Sequence, residues 1–118
     1  MPHVFDLEKR TTEFAKKTIT LCKKLPKDAV NHRLVGQIVG SSGSIGANYR
    51  EANDSLGKND FAHKLKISRR ETKETIHWLD LINTANTGFD QEISILTKEA
   101  VELCNILSAI IKKFDKNN

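Results

Sequence analysis

Covalent and metal cross-links have little to work with in these 118 residues, because cysteine occurs only twice, at Cys22 and Cys104. Both fall on apolar helical stripes, where a free thiol behaves as a small hydrophobe, so both are expected to be buried and unpaired. No apolar run approaches the roughly 20 residues needed to span a bilayer. The opening Met1-Pro2-His3-Val4-Phe5-Asp6 lacks the basic-then-apolar layout of a secretory signal. These absences predict a cytoplasmic protein without membrane contact. Catalytic vocabulary is equally scarce. Neither the cysteines nor His3, His32, His63 and His77 form a nucleophile–base motif. The run Gly40-Ser41-Ser42-Gly43-Ser44 lacks the Gly-Lys-Ser/Thr and preceding strand of a phosphate cradle. No catalytic residue, cofactor or metal is expected, and no enzymatic activity.

What is present suits a soluble helical domain spanning residues 1–118. Hydrophobic residues make up 38% and charged residues 29%, enough for one core without disulfides. The net charge of +4 is mild but unevenly spread. Residues 1–27 carry seven Lys/Arg against three acids, and residues 61–80 carry five against three. Positive charge is therefore concentrated on two of the helices that the pattern predicts, which hints at a polyanionic partner.

Four helices follow from the spacing. Leu7, Thr11, Phe14, Thr18, Leu21 and Leu25 alternate steps of four and three, the seam of a helix packed nearly parallel to its neighbours. Asp6 stands at the N-cap position, where its side chain is expected to accept backbone N–H groups. Pro26 disfavours helical geometry at Leu25 and ends the helix. A second helix is expected from Asp28–Asn31 to about Asn53, with the stripe Val35, Ile38, Ser42, Ile45, Tyr49 and Ala52. Turn composition over Asn53–Asn59 precedes a third, from Asn59 or Asp60 to about Asn83–Asn86. Its stripe is Phe61, Leu65, Ser68, Thr72, Ile76, Leu79 and Ile82, with Ile67, Trp78 and Leu81 pointing to a second buried face. Thr87-Gly88 breaks the chain, and Asp90 is the expected cap of the fourth. That helix carries Ile93, Leu96, Ala100, Leu103, Leu107, Ile110 and Phe114, with Ile95, Val101, Ile106 and Ile111 outside the seam. So wide an apolar girdle favours a partner surface, most simply a second copy. Short connections favour an all-α, up-down-up-down antiparallel four-helix bundle.

The second helix contains Gly36, Gly40, Gly43 and Gly46. Each glycine costs a helix interior about 1 kcal/mol relative to alanine, so something must offset them. A smooth strip of small residues permits close approach by another helix, in the core or between subunits. The alternative is a Gly-Ser loop at Gly40–Ser44. The apolar period passes through the segment without a phase shift, which favours a continuous helix.

The order Asp6-Leu7-Glu8, then Ser44-Ile45-Gly46-Ala47-Asn48-Tyr49-Arg50-Glu51-Ala52, Asp60-Phe61, Lys64-Leu65, Glu71-Thr72, Trp78-Leu79 and Glu102-Leu103 resembles the four-helix-bundle family of 23S rRNA intervening-sequence proteins. The likeness covers nearly the whole chain, and the Ser-Ile-Gly-Ala-Asn block is its most specific part. The resemblance implies an up-down-up-down bundle assembling into homopentamers. It also implies kinship with accessory proteins of diversity-generating retroelements, which bind nucleic acid. The chain departs from the family pattern at Gly40, where a basic residue often precedes the small-residue block.

Glu74-Thr75-Ile76-His77 has the Glu-x-x-His spacing of di-iron bundles, but those need two copies and two further glutamates. Glu51, Glu71 and Glu74 could converge, but surface pairing with Arg50, Arg70 and Lys73 explains them as well. The basic residues remain as candidate nucleic-acid contacts: Lys16, Lys17, Lys23 and Lys24 on the first helix, and Lys66, Arg69, Arg70 and Lys73 on the third. Clustered cations neutralise phosphates without reading sequence, and no aromatic platform lies among them for stacking bases. The expected function is non-catalytic association of an oligomer with RNA or DNA. The alternative is a scaffold that binds a partner protein through leftover apolar surface.

Overall fold

A computed structural model describes residues 6–117; Met1–Phe5, including His3, lie outside the described residues. Four helices make up the fold: α1 (Leu7–Lys24), α2 (Ala29–Asn53), α3 (Lys58–Ala85) and α4 (Asp90–Lys116). Their boundaries have local causes. Leu25 turns extended ahead of Pro26 (ψ 147°), which stops α1. Asp28 caps α2 by accepting the Asn31 N–H at 2.8 Å. Gly88, with φ +88°, takes the left-handed conformation that lets the chain turn between α3 and α4.

Two expected caps are corrected. Asp6 occupies the cap position of α1, but its side chain makes no cap hydrogen bond. Only its carbonyl contributes, accepting the Arg10 N–H at 2.7 Å. Asp90 is the first residue of α4 rather than its cap, which is Phe89. There its carboxylate favours the positive end of the helix dipole. The third helix also starts slightly earlier than expected, at Lys58 after Gly57.

Each helix packs on its sequence neighbours and α1 closes on α4, while the diagonal pairs α1–α3 and α2–α4 do not meet among the described residues. That is an up-down-up-down bundle. The α2–α3 interface is the most extensive and the α1–α4 interface the slightest. The core holds Leu7, Phe14 and Leu21 of α1, Ile38 and Ile45 of α2, Leu65, Leu79 and Ile82 of α3, and Leu96, Leu103 and Leu107 of α4.

Hydroxyls occupy the α2–α3 interface, where bulk would hold the helices apart. Thr75 donates to the Ser41 hydroxyl at 2.9 Å, and Ser68 donates across the interface to the Ile45 carbonyl at 2.7 Å. Thr75 is fully buried, whereas Ile76, expected in the seam, is only half-buried. The buried face of α3 is turned toward α2 by that packing. In α4 the seam likewise moves from Ile110, half-buried, to Ile111, buried. Cys22 is buried, but Cys104 is only half-buried. Ile67, Trp78 and Leu81 are half-buried, and Ile95 and Val101 are exposed.

At one end of the bundle Asn31 and Asn86 exchange side-chain amide hydrogen bonds at 2.8 and 2.9 Å. Asn31 also donates to the Pro26 carbonyl and Asn86 to the Ile82 carbonyl. This clasp joins the α1–α2 turn to the end of α3.

The glycine-bearing segment is continuous helix through Gly40–Ser44. The compensation expected for its glycines, however, is present at only one position. Gly46 packs against α1, where an added Cβ would lie 2.8 Å from Thr11 Oγ1. Gly36, Gly40 and Gly43 have nothing within 4 Å of a prospective Cβ, and all three lie on the exposed side of α2. Among the described residues no packing contact at these three positions offsets their cost.

Candidate functional site

The eight candidate basic residues divide between two corners of the bundle, because α1 and α3 are diagonal and their backbones do not approach each other among the described residues. The structure brings each set together but keeps the two sets apart.

On α3, His63, Lys66, Ile67, Arg69, Arg70 and Lys73 line a shallow surface depression of about 340 Å³. The steps from His63 to Lys66, Arg70, Lys73 and His77 alternate three and four, which places all five along one ridge. Lys66, Arg70 and Lys73 are exposed and Arg69 half-buried. Among the described residues none of the four cations forms an ion pair. Their charge therefore stands open to solvent. Glu71 and Glu74 on the same helix make no ion pair with Arg70 or Lys73, contrary to expectation. Burial raises the Glu71 carboxyl above its usual range, the charge of Glu74 adds to that, and Arg70 opposes it.

The α1 set is less free. Lys24 pairs with Glu92 of α4 at 2.7 Å, and Lys16 lies 3.6 Å from Glu13. Lys17 and Lys23 are exposed and form no ion pair among the described residues. Sequence reasoning missed two members of these clusters, His63 on α3 and Lys9 on α1. Lys9, Lys16 and Lys23 recur every seven residues, two positions after the buried Leu7, Phe14 and Leu21. At about 100° per residue, two positions place these lysines on the side of α1 away from the core. That interval was the available signal.

The remaining charges knit helices together. Arg10 donates to Glu99 at 2.7 and 2.9 Å and to Glu102 at 2.7 Å, spanning the α1–α4 seam; the two carboxylates raise its already high pKa further. Arg50, expected to pair with Glu51, instead reaches Glu8 of α1 at 3.0 Å. Glu51 pairs with Lys64 of α3 at 2.7 Å and raises the lysine's pKa. His77, of the Glu-x-x-His sequence, lies edge-on to Trp78 with ring centroids 4.9 Å apart. Among the described residues no three His, Cys, Asp or Glu side chains gather as a metal site. No described helix is long and apolar enough to cross a membrane.

A four-helix bundle with cations on two diagonal corners defines a general class. Comparison with known proteins narrows it. The family model for 23S rRNA-intervening sequence proteins matches residues 5–109. The chain belongs to that family. It is similar in structure to a protein of unknown function of the S23 ribosomal protein family from Bacteroides thetaiotaomicron VPI-5482. The TM-score is 0.79 and the identity 29%, over 89% of this chain and 97% of the other. No curated protein matches it.

Proposed function

We propose that this protein is a non-catalytic, cytoplasmic, homo-oligomeric member of its family that associates with the phosphate backbone of nucleic acid through its basic helix faces. The supporting observation is the α3 ridge, where Lys66, Arg70 and Lys73 are exposed, Arg69 is half-buried, and none of the four forms an ion pair among the described residues. Neutralising phosphates releases condensed cations, so affinity falls with salt. About three phosphates contacted per protomer give a log–log slope near −3 on duplex DNA. The test is a fluorescence-anisotropy titration across salt concentrations with the wild type and a Lys66→Glu, Arg70→Glu, Lys73→Glu variant. Wild-type binding with that slope, weakened at least tenfold in the folded variant, which keeps the α1 lysines, supports the reading; no wild-type association at low salt ends it.

Self-association belongs to the same proposal, and family resemblance makes five the expected copy number. The exposed strip of Gly36, Gly40 and Gly43 supports it, since a close neighbour there would offset about 3 kcal/mol of helix propensity. Sedimentation of a stable monomer at micromolar concentration would refute it. Kinship with the accessory proteins of diversity-generating retroelements is part of this reading, tested by whether a reverse-transcriptase gene lies nearby. A second reading, a scaffold for a partner protein, is favoured by Ile95 and Val101, large apolar residues exposed on α4. Replacing both with serine would weaken partner capture while leaving nucleic-acid binding unchanged.

A further inference from the structure

We propose that α2 of one copy lies in the open groove between α1 and α4 of the next, so that copies join head to tail. The inference rests on the self-association reading above and adds to it the two surfaces that meet.

The first surface is the outer side of α2. From Leu34 to Tyr49 the chain carries no charged residue, although charged residues make up 29% of the whole. That run includes the exposed Gly36, Gln37, Val39, Gly40, Gly43 and Ala47. A helix side meant for water carries charged and polar residues outward, and four turns of α2 do not. The missing side chains also make α2 slim there. Nothing stands within 4 Å of a prospective Cβ at Gly36, Gly40 or Gly43, so a second body can approach the backbone closely.

The second surface is the α1–α4 side. These helices make the slightest contact of the neighbouring pairs, and a groove of about 960 Å³ runs between them. Its apolar lining is Phe14 and Leu96, both buried, with Ile106 half-buried and Ile95 exposed. A slim, uncharged helix suits such a groove, because its insertion strands no unpaired charge away from water. A side of the bundle measuring up to 47 × 25 Å has room for the roughly 800 Å² per partner of a stable contact.

Electrostatics select this occupant over a second α2. Two α2 helices packed antiparallel about Gly40 and Gly43 would set Arg33 of each copy against Arg50 of the other. Residues 29–50 contain no acid to receive them, and the adjoining Glu8 and Glu51 are already held by Arg50 and Lys64. Like charges so placed oppose association. The groove is mixed in sign instead. Lys9, Lys17 and Lys98 share it with Glu13, Glu99 and Glu102, and the last two divide one guanidinium, that of Arg10. Carboxylate charge is therefore left over for Arg33 of an incoming α2.

The two surfaces differ, so the contact is head to tail rather than a closed dimer. In a four-cornered bundle the α2 corner and the α1–α4 side point about 135° apart, not back to back. Successive copies therefore turn, and a ring can close. The α3 ridge faces the wider, outer arc and stays open to phosphates.

Two full-length variants test the proposal. Gly36→Glu with Gly40→Glu blocks the α2 face, and Ile95→Glu with Lys98→Glu blocks the groove. All four positions are exposed, and circular dichroism with urea unfolding checks that each variant folds. Alone, each should sediment as a monomer under conditions where the wild type assembles. Mixed, they should form a species of about 27 kDa, twice the 13.3 kDa protomer, because one keeps its groove and the other its α2. A second measurement reads the contact inside the complete assembly. Copies with Gly40→Cys and copies with Ile95→Cys, mixed and oxidised, should give disulfide-linked pairs containing one of each. A mixed pair by either readout supports the proposal, and its absence from both overturns it. Assembly unchanged in the groove variant also overturns it and leaves the groove to a partner protein. Disulfides joining two Gly40→Cys copies would show α2 meeting α2 and overturn it as well. A wild type that is itself monomeric removes the self-association reading, so the two failures are distinguishable.

Discussion

Replacing glycines of α2 one at a time tests whether the helix approaches α1 as closely as described. At Gly46 an alanine Cβ would lie 2.8 Å from Thr11 Oγ1 and 3.3 Å from Thr11 Cβ. Thr11 cannot easily withdraw. It is β-branched and therefore stiff, and its hydroxyl donates to the Leu7 carbonyl at 2.7 Å. Overpacking of this kind costs about 1–3 kcal/mol, against a helix-propensity gain of about 1 kcal/mol. Gly46→Ala should therefore lose about 1 kcal/mol. Gly40→Ala, with nothing within 4 Å, should gain about 1 kcal/mol if that face is free. The two variants then differ by about 2 kcal/mol, or roughly 8 °C in Tm for a domain of this size. Urea unfolding at several protein concentrations measures both, since self-association adds concentration-dependent stability. Adding Thr11→Ala to Gly46→Ala should recover about half the loss through coupling between neighbours. A Gly46→Ala protein stabilised as much as Gly40→Ala would refute the contact. A Gly40→Ala protein that loses stability only at high concentration would mark the strip as an interface.

Three further outcomes are expected. Gly88→Ala forces a side chain into a left-handed conformation at φ +88° and should cost about 1–2 kcal/mol in urea unfolding; an unchanged midpoint would show that the turn relaxes. Trp78→Phe removes a buried indole N–H that has no hydrogen-bond partner among the described residues, so it should be neutral or stabilising, whereas a loss above about 2 kcal/mol would reveal a partner. Burial pushes the Cys22 thiol up to about 11. The thiol form is favoured in the fold, so this contribution is intact below the unfolded value of about 8.5 and lost as pH rises through about 11. Thiol reagent at pH 8 should label Cys104 first and Cys22 only on unfolding; equal rates would contradict the burial.

The helices were legible because their punctuation is local. Pro26, Asp28 and Gly88 act within a few residues, and the chain reports them directly. The continuity of α2 was legible too, from the unbroken spacing of Ile38, Ser42 and Ile45. What drifted was phase. A seven-residue pattern slips about 20° per heptad on a straight helix, so by the end of α4 the buried position is Ile111 rather than Ile110. Thr75 escaped notice because its burial depends on α2, whose Ser41 supplies the hydroxyl partner. Ion pairing was the least legible layer. Whether Arg50 meets Glu51 or Glu8, and whether Lys24 is free or held by Glu92, depends on which helices lie side by side. The diagonal placement of the two basic helices, by contrast, follows from the expected up-down-up-down order; which of their lysines are held in ion pairs does not.

The exchange between Asn31 and Asn86 bears on how the two hairpins find their alignment. Leucine, isoleucine and valine rows tolerate sliding, because one aliphatic group can replace another with little penalty. A shift of α3 along α2 by a single turn would strand two carboxamides in a dry environment, each shorn of its complement. Misaligned arrangements are thereby disfavoured in a stepwise manner, and the pair acts as a molecular ratchet stop on an otherwise slippery contact.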